Sequence, residues 1–225
     1  MIDTTVKVAD KLVGEYDIIP NPWIKEFYNE NQELISAEFH GITAIRPGAF
    51  ASCASLAHIS LPESLTSIGD QAFGDCTNLA LTSLPAGLTS IGYGAFSGCT
   101  NLALTSLPEG LTSIGAGAFA SCTNLALTSL PDGLTVIPME AFSSCSNLAL
   151  TSLPEGLTSI ESATFHGCTS LTSITFKGTP TSIASNAFSG CTNLTDIKVP
   201  WSEGAVANAP WGATNATITY NYTGE

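Results

Sequence analysis

A 23-residue period runs through most of this chain and constrains its fold more than any other feature. Cysteine recurs at that interval, and phenylalanine keeps the same interval three positions before each cysteine. The two columns are Cys53, Cys76, Cys99, Cys122, Cys145, Cys168 and Cys191, and Phe50, Phe73, Phe96, Phe119, Phe142, Phe165 and Phe188. A fixed period of roughly 20 to 30 residues with regular Leu and Ile is typical of stacked coils, because one coil cannot bury its apolar side without neighbours. We therefore predict a repeat solenoid in which like side chains lie above one another.

The coil of residues 122–144 shows how each repeat is built. Residues 125–130 form a short extended run that ends at Pro131, since proline lacks the N–H that a strand donates. A turn at the following Asp-Gly pair leads into a second extended segment, residues 134–137. Residues 138–143 are predicted to form a short helical turn that places their phenylalanine in the core. Stacking of such coils predicts parallel strands with equivalent residues side by side.

The repeat also resembles a known family. The segment from Leu56 to Cys76 reads LAHISLPESLTSIGDQAFGDC, which is similar to the BspA-type (treponemal-type) leucine-rich repeat, LxxIxLPxxLTSIGxxAFxxC. The likeness extends over about residues 41–222. It implies a right-handed coil with a parallel β-sheet, about seven 23-residue repeats, short helical turns on the other side and capped ends. The predicted divisions are an N-terminal capping segment at 1–40, the repeats at 41–198 and a C-terminal capping segment at 199–225.

Both ends are predicted to cap the stack, because a terminal coil otherwise exposes its apolar side. Residues 3–13 are predicted to form a capping helix, or alternatively a segment that couples the chain to a partner, and residues 34–39 a degenerate first strand. Residues 216–222 alternate apolar and polar side chains, which indicates a closing strand. Trp211 continues the phenylalanine spacing, whereas Trp201 is assigned to the loop before it. The same N-terminal capping role is assigned to Trp23, Phe27 and Tyr28.

The charge of the chain argues against two classes of partner. The net charge is −13, and the stretch from Pro47 to Phe176 contains eight acidic residues and no Lys or Arg. Such a surface repels phosphate backbones and anionic lipid headgroups, so we predict neither nucleic-acid binding nor binding to a membrane surface. No apolar run reaches the ~18 residues of a membrane span. Residues 1–8 lack the features of a signal peptide, so the chain is expected either not to use that export route or to have a trimmed N-terminus.

No constellation of catalytic or metal-binding residues is evident. An odd number of equally spaced cysteines is a poor disulfide framework, so we expect free, buried thiols that act as small apolar residues. There is no CxxC motif, and His40, His58 and His166 fall in different columns of the repeat. The glycines at 92–94 lack the context of a phosphate loop. The sequence therefore predicts a protein that is not an enzyme and that has no metal ion or cofactor.

The middle coils depart from the pattern on the first extended run. Outer coils carry an isoleucine six residues after the cysteine, at Ile59, Ile174 and Ile197, where the middle coils have threonine preceded by leucine. If the register is kept, the leucines form an exposed apolar stripe, which usually marks a contact surface. If the strand shifts by a small bulge, the leucines are buried and the threonines face outward. The candidate binding surface comprises Leu81, Leu104, Leu127 and Leu150 with the hydroxyls of Ser83, Ser106, Ser129 and Ser152.

A second candidate surface lies in the variable column just before the phenylalanine. This column holds Asp70, Tyr93, Ala116, Met139, Ser162 and Ser185. Tyr93 and Met139 are its candidate anchors for a partner, and ordinary variation of an exposed loop is the alternative interpretation.

The family resemblance implies a non-catalytic recognition module. It would be a bacterial cell-surface adhesion or protein-binding protein, with a protein or a cell-surface glycan as its ligand, located extracellularly or at the cell surface. A virion-associated alternative is a phage or prophage tail-associated receptor-binding protein, which the missing signal peptide and the closing segment motivate. A third alternative is a structural spacer without a ligand. The sequence indicates no oligomeric state.

Overall fold

The computed structural model describes residues 24–28, 33–39 and 41–224, so the helix predicted at 3–13 lies outside the described residues, as does Trp23. The described chain winds into a parallel β-solenoid of about eight coils with the predicted period. Each coil contributes up to two short strands on adjacent faces. The strands are β1 (Ile24–Tyr28), β2 (Leu34–Phe39), β3 (Ala44–Ile45), β4 (His58–Ser60), β5 (Ser67–Ile68), β6 (Ser90–Ile91), β7 (Ser113–Ile114), β8 (Val136–Ile137), β9 (Ser152–Leu153), β10 (Ser159–Ile160), β11 (Ser173–Phe176), β12 (Ser182–Ile183), β13 (Asp196–Lys198) and β14 (Thr217–Thr219).

Strand pairing defines two faces of the solenoid. We call the first face the side that carries the sheets β1-β2-β4 and β9-β11-β13-β14, and the second face the side that carries β3-β5-β6-β7 and β8-β10-β12. The pairs between coils are parallel, with Ile68 beside Ile91 and Ile174 beside Ile197. The pair β1–β2 is antiparallel. The strand predicted at residues 34–39 is confirmed as β2, and β14 lies within the predicted closing strand.

The phenylalanine column forms the centre of the core. Successive rings from Phe50 to Phe188 stack with centroids 5.1 to 5.8 Å apart and nearly parallel planes. All seven rings are fully buried among the leucine, isoleucine and alanine columns. Burial of one such side chain contributes roughly 1.5 to 3 kcal/mol, and that contribution requires a neighbouring coil.

The helical turns expected before each cysteine are not formed; the segment is a series of tight turns. In the coil of Phe73, alternate amides donate in different directions: Gln71 and Phe73 donate to carbonyls of the next coil at 2.7 and 2.8 Å, whereas Ala72 and Gly74 donate three residues back at 3.2 and 3.1 Å. Residues in the left-handed region recur here, including Gln71 at φ 52° and Asp75 at φ 59°. A helix requires consecutive right-handed residues and amides that all bond within the segment, so this alternation excludes one.

An aromatic cluster closes the C-terminal end of the stack. Trp211 is fully buried, its Nε1–H donates to the carbonyl of Ala207 at 2.7 Å, and its ring lies 5.9 Å from Phe176 and 6.3 Å from Trp201. Trp201 is also buried and meets Phe176 edge-on at 5.2 Å. Trp201 is therefore part of the core as well as of its loop, which the spacing of the repeat did not predict.

Candidate functional site

The leucines of the candidate stripe lie in the core rather than on the surface. Leu81, Leu104, Leu127 and Leu150 are 9%, 0%, 0% and 2% exposed. The threonines that follow them, Thr82, Thr105, Thr128 and Thr151, are all exposed. The prediction of an exposed apolar stripe is therefore wrong. The leucines are buried and the threonines face outward, as in the second alternative, but the register is not shifted, because Ser152 pairs with Thr175 at the 23-residue spacing. The physical reason for the burial is the gain of roughly 1.5 to 3 kcal/mol for each buried leucine.

The strand ladder of the first face is interrupted in the middle coils. Between β4 and β9 the first face carries no strand within the described residues. Single backbone bonds replace the ladder there, from Ala103 N–H to the Leu81 carbonyl at 3.0 Å and from Ala126 N–H to the Leu104 carbonyl at 3.1 Å. Adjacent threonine and serine side chains consequently both face outward in these coils. Ser83, Ser106 and Ser129 are exposed and Ser152 is half-buried. We call these paired threonine and serine columns, residues 82–83, 105–106, 128–129 and 151–152, the hydroxyl face.

Truncation of neighbouring residues checks this arrangement. We expect Leu127→Ala to lower the free energy of unfolding by about 3 kcal/mol, because it leaves a cavity in a close-packed core. Thr128→Ala should change it by less than about 0.5 kcal/mol, since that side chain is exposed. Urea denaturation of the two variants measures both values. A larger loss for the threonine variant would contradict the burial of Leu127 and the exposure of Thr128.

Tyr93 and Met139 are exposed, as the variable column predicted, at 55% and 45%. A third large apolar side chain, Val136, is 39% exposed and lies three residues before Met139. Sequence reasoning missed Val136, although its signal was available: valine replaces the serine that other coils carry in the same column, as at Ser90 and Ser113. Val136 and Met139 are thus both exposed in the same coil.

Carboxylates fix the backbone on both sides of this column. Asp70 Oδ1 accepts the backbone N–H of Tyr93 at 2.8 Å, and Glu161 Oε2 accepts that of Met139 at 2.9 Å. Each bond crosses from one coil to the next. Hydrogen bonds to a charged acceptor are stronger than neutral ones, so these two positions of the surface are firmly held.

The thiol column is structural. Six of the seven cysteines are buried, Cys53 is half-buried, and none of the seven forms a disulfide bond. The Sγ–H of each buried cysteine donates to the phenylalanine carbonyl of the preceding coil, as from Cys99 to Phe73 at 3.0 Å. Burial raises the pKa of Cys99 and of Cys145 to about 12 from an ordinary value of 9.0. A thiol that stays protonated is neither a nucleophile nor a metal ligand at neutral pH.

The described residues contain neither a candidate metal site nor a membrane-spanning helix. Within residues 24–28, 33–39 and 41–224, no group of three or more His, Cys, Asp or Glu side chains is placed to hold a metal ion. Across the same residues, no helix has the length and hydropathy to cross a membrane. An ion pair of 3.4 Å joins Lys198 to Asp196 at the C-terminal end of the first face.

Comparisons with known proteins relate the chain to leucine-rich repeats. The family described as BspA type leucine rich repeat region matches residues 24–149 and 135–208 in six copies. A leucine-rich repeat protein of T. pallidum has a similar structure, with 29% identity and a TM-score of 0.54 over 80% of this chain and 84% of that one. A leucine-rich cell surface protein of Faecalibacterium prausnitzii is 27% identical with a TM-score of 0.45 over 74% of this chain and 59% of that one. No curated protein matches the chain in sequence.

Proposed function

Because this chain belongs to the BspA-type leucine-rich repeat family, we propose that it is a non-catalytic recognition module that acts at a bacterial cell surface and binds a protein or a glycan there. The observation that carries the proposal is the hydroxyl face. Four successive coils present adjacent threonine and serine hydroxyls, while the leucines beside them are buried and hold the backbone in place.

The hydroxyl face has the properties of a polar recognition surface. Successive coils repeat at roughly the 4.8 Å spacing of neighbouring strands, so the paired columns form a regular array of donors and acceptors. A hydroxyl both donates and accepts, which suits the amide groups of a protein and the hydroxyl groups of a glycan equally. The stacked core beneath is close-packed, so little conformational entropy is lost when a ligand binds.

Arrays of extracellular-matrix proteins and of cell-surface glycans test the recognition role. We expect the purified chain to bind at least one component of the arrays. The variant with alanine at Ser83, Ser106, Ser129 and Ser152 should bind that component about tenfold or more weakly, since each lost hydrogen bond to a desolvated group costs about 1 kcal/mol.

The matched control makes the same change on the second face. Its variant has alanine at Ser67, Ser90, Ser113 and Ser159, which occupy one column; Ser113 is exposed and the other three are half-buried. The control should retain the affinity of the unmodified chain. A chain that binds nothing on either array would contradict the recognition role and favour a structural spacer. Equal losses in the two variants would contradict the assignment of the hydroxyl face.

A further inference from the structure

The exposed large apolar side chains cluster on one side of the solenoid. Among the described residues, the large hydrophobic side chains that are exposed are those of Tyr93, Val136 and Met139. All three lie on or just after the second face. Val136 is in the column of Ser67, and Tyr93 and Met139 are in the column of Asp70. Elsewhere these columns hold small or polar residues. We call the three side chains, with Ala116 between them, the apolar patch.

Backbone bonds fix the geometry of the apolar patch. Gly94 N–H donates to the Ala116 carbonyl at 2.9 Å, and Gly117 N–H donates to the Met139 carbonyl at 2.9 Å. These bonds place Tyr93, Ala116 and Met139 on three successive coils. Since neighbouring coils are separated by about 5 Å, the two large side chains stand roughly 10 Å apart, and the small side chain of Ala116 forms the floor between them.

The coil that carries Val136 and Met139 also interrupts the second face. Gly115 and Glu161 each donate their N–H to the isoleucine carbonyl of the preceding coil, at 2.8 and 3.0 Å. Pro138 occupies the equivalent position between them and has no N–H to donate. The ladder accordingly breaks between β7 and β8. Three of five consecutive positions, 136, 138 and 140, differ here from the Ser-Ile-Gly-x-Gly of Ser90–Gly94.

Carboxylates flank the apolar patch, and the stretch of sequence that contains it has no Lys or Arg. Asp70 and Glu161 lie on the coils that flank it, and Glu140 follows Met139 directly. Asp70 and Glu161 use one oxygen each for the backbone bonds described above. No Lys or Arg occurs from Pro47 to Phe176, so the coils that carry the patch and its carboxylates provide no basic side chain; Arg46 lies one coil before Asp70.

We propose that the apolar patch docks a cationic segment of a protein partner, one that presents lysine or arginine next to an aliphatic side chain. The aliphatic side chain packs on Val136 and Met139. A basic side chain enters between Tyr93 and Met139, where the tyrosine ring offers a cation–π contact and the flanking carboxylates supply opposite charge. The inference rests on the proposed recognition role and adds a second surface with a defined class of partner.

Fluorescence anisotropy with a labelled peptide tests the docking site. The probe is an alternating arginine–leucine octapeptide, compared with glutamine–leucine and arginine–glycine peptides of the same length. We expect saturable binding of the first peptide and binding at least about tenfold weaker for the other two, because each lacks one half of the recognition. Replacement of Tyr93, Val136 and Met139 by serine should weaken binding of the first peptide by about tenfold or more.

A pair of charge-matched variants separates docking from general attraction to an acidic protein. The test variant carries Asp70→Asn, Glu140→Gln and Glu161→Gln, which keep an acceptor for the backbone bonds. The control carries Glu109→Gln, Asp132→Asn and Glu155→Gln at exposed turns. The test variant should lose about tenfold in affinity and the control less than about twofold.

Three outcomes would overturn the inference: no binding of the arginine–leucine peptide, equal binding of the glutamine–leucine peptide, or equal losses in the two charge variants. None of these affects the array result at the hydroxyl face. The docking site and the proposed function can therefore fail separately.

Discussion

The free energy of unfolding is expected to fall by about 6 kcal/mol between pH 9 and pH 10. Burial raises the pKa of the Cys99, Cys145 and Cys191 thiols to about 12 from an ordinary value of 9.0, and it raises the pKa of Cys76, Cys122 and Cys168 well above that value. Above pH 9 the unfolded chain releases these protons while the folded chain keeps them. The folded state then binds more protons, so stability decreases as pH rises. The decrease approaches about 1.4 kcal/mol per thiol and pH unit once the thiols of the unfolded chain are fully ionised. Well below pH 9 the thiols are protonated in both states and contribute no pH dependence.

Urea denaturation at closely spaced values between pH 8.5 and about pH 10 measures this slope, before most lysines and tyrosines titrate. A variant with Cys122→Ala and Cys145→Ala serves as the control. It will be less stable at neutral pH because it loses two packed side chains, but its slope should be shallower by about one third, because two of the six buried thiols are removed. An identical slope in the two proteins would show that the thiols are not buried as described.

Phe119→Ala is expected to lower the free energy of unfolding by about 3 to 5 kcal/mol. The ring of Phe119 stacks on Phe96 at 5.6 Å and on Phe142 at 5.5 Å. Its removal therefore leaves a cavity that borders the coil before it and the coil after it. In a solenoid each coil is stabilised by its immediate neighbours, and a defect in the middle of the stack weakens both interfaces. Chemical denaturation at neutral pH measures the loss.

Tyr93→Ala provides the matched control for Phe119→Ala, since it truncates an aromatic side chain of the same stack that faces solvent. Its effect on stability should stay below about 0.5 kcal/mol. A loss below about 1 kcal/mol for Phe119→Ala would contradict a core that depends on the phenylalanine column.

The repeat spacing predicted most of the architecture. Equal intervals between Phe50 and Phe188 are sufficient to place equivalent residues above one another. The predicted stacking of phenylalanine is found, and the cysteines form no disulfide bonds, as predicted. The helical turn was wrong because spacing does not report the sign of φ. Gln71 and Asp75 adopt the left-handed region to direct alternate amides to the next coil, and non-glycine side chains give little warning of that conformation.

The candidate surfaces were harder to predict. A leucine displaced by one position, as at Leu127, is compatible with either face of a regular strand, and only the energetic gain of burial favours the observed arrangement. Tyr93 and Met139 could be located from their column, because a column that varies between near-identical coils usually faces solvent. Val136 could have been located in the same way, because the other coils carry serine in its column and the neighbouring Ile137 takes the inward position of the strand.

Because the stack is made of interchangeable coils, genetic gain or loss of one 23-residue unit changes the length of the molecule without altering how neighbouring units fit. The consequence differs between the two surfaces. An additional unit would simply extend the hydroxyl face, whereas one inserted between Tyr93 and Met139 would move those side chains apart by the height of one coil. Recombination among the repeats can therefore change the length of the molecule. A unit gained or lost between Tyr93 and Met139 would also change the spacing within the apolar patch.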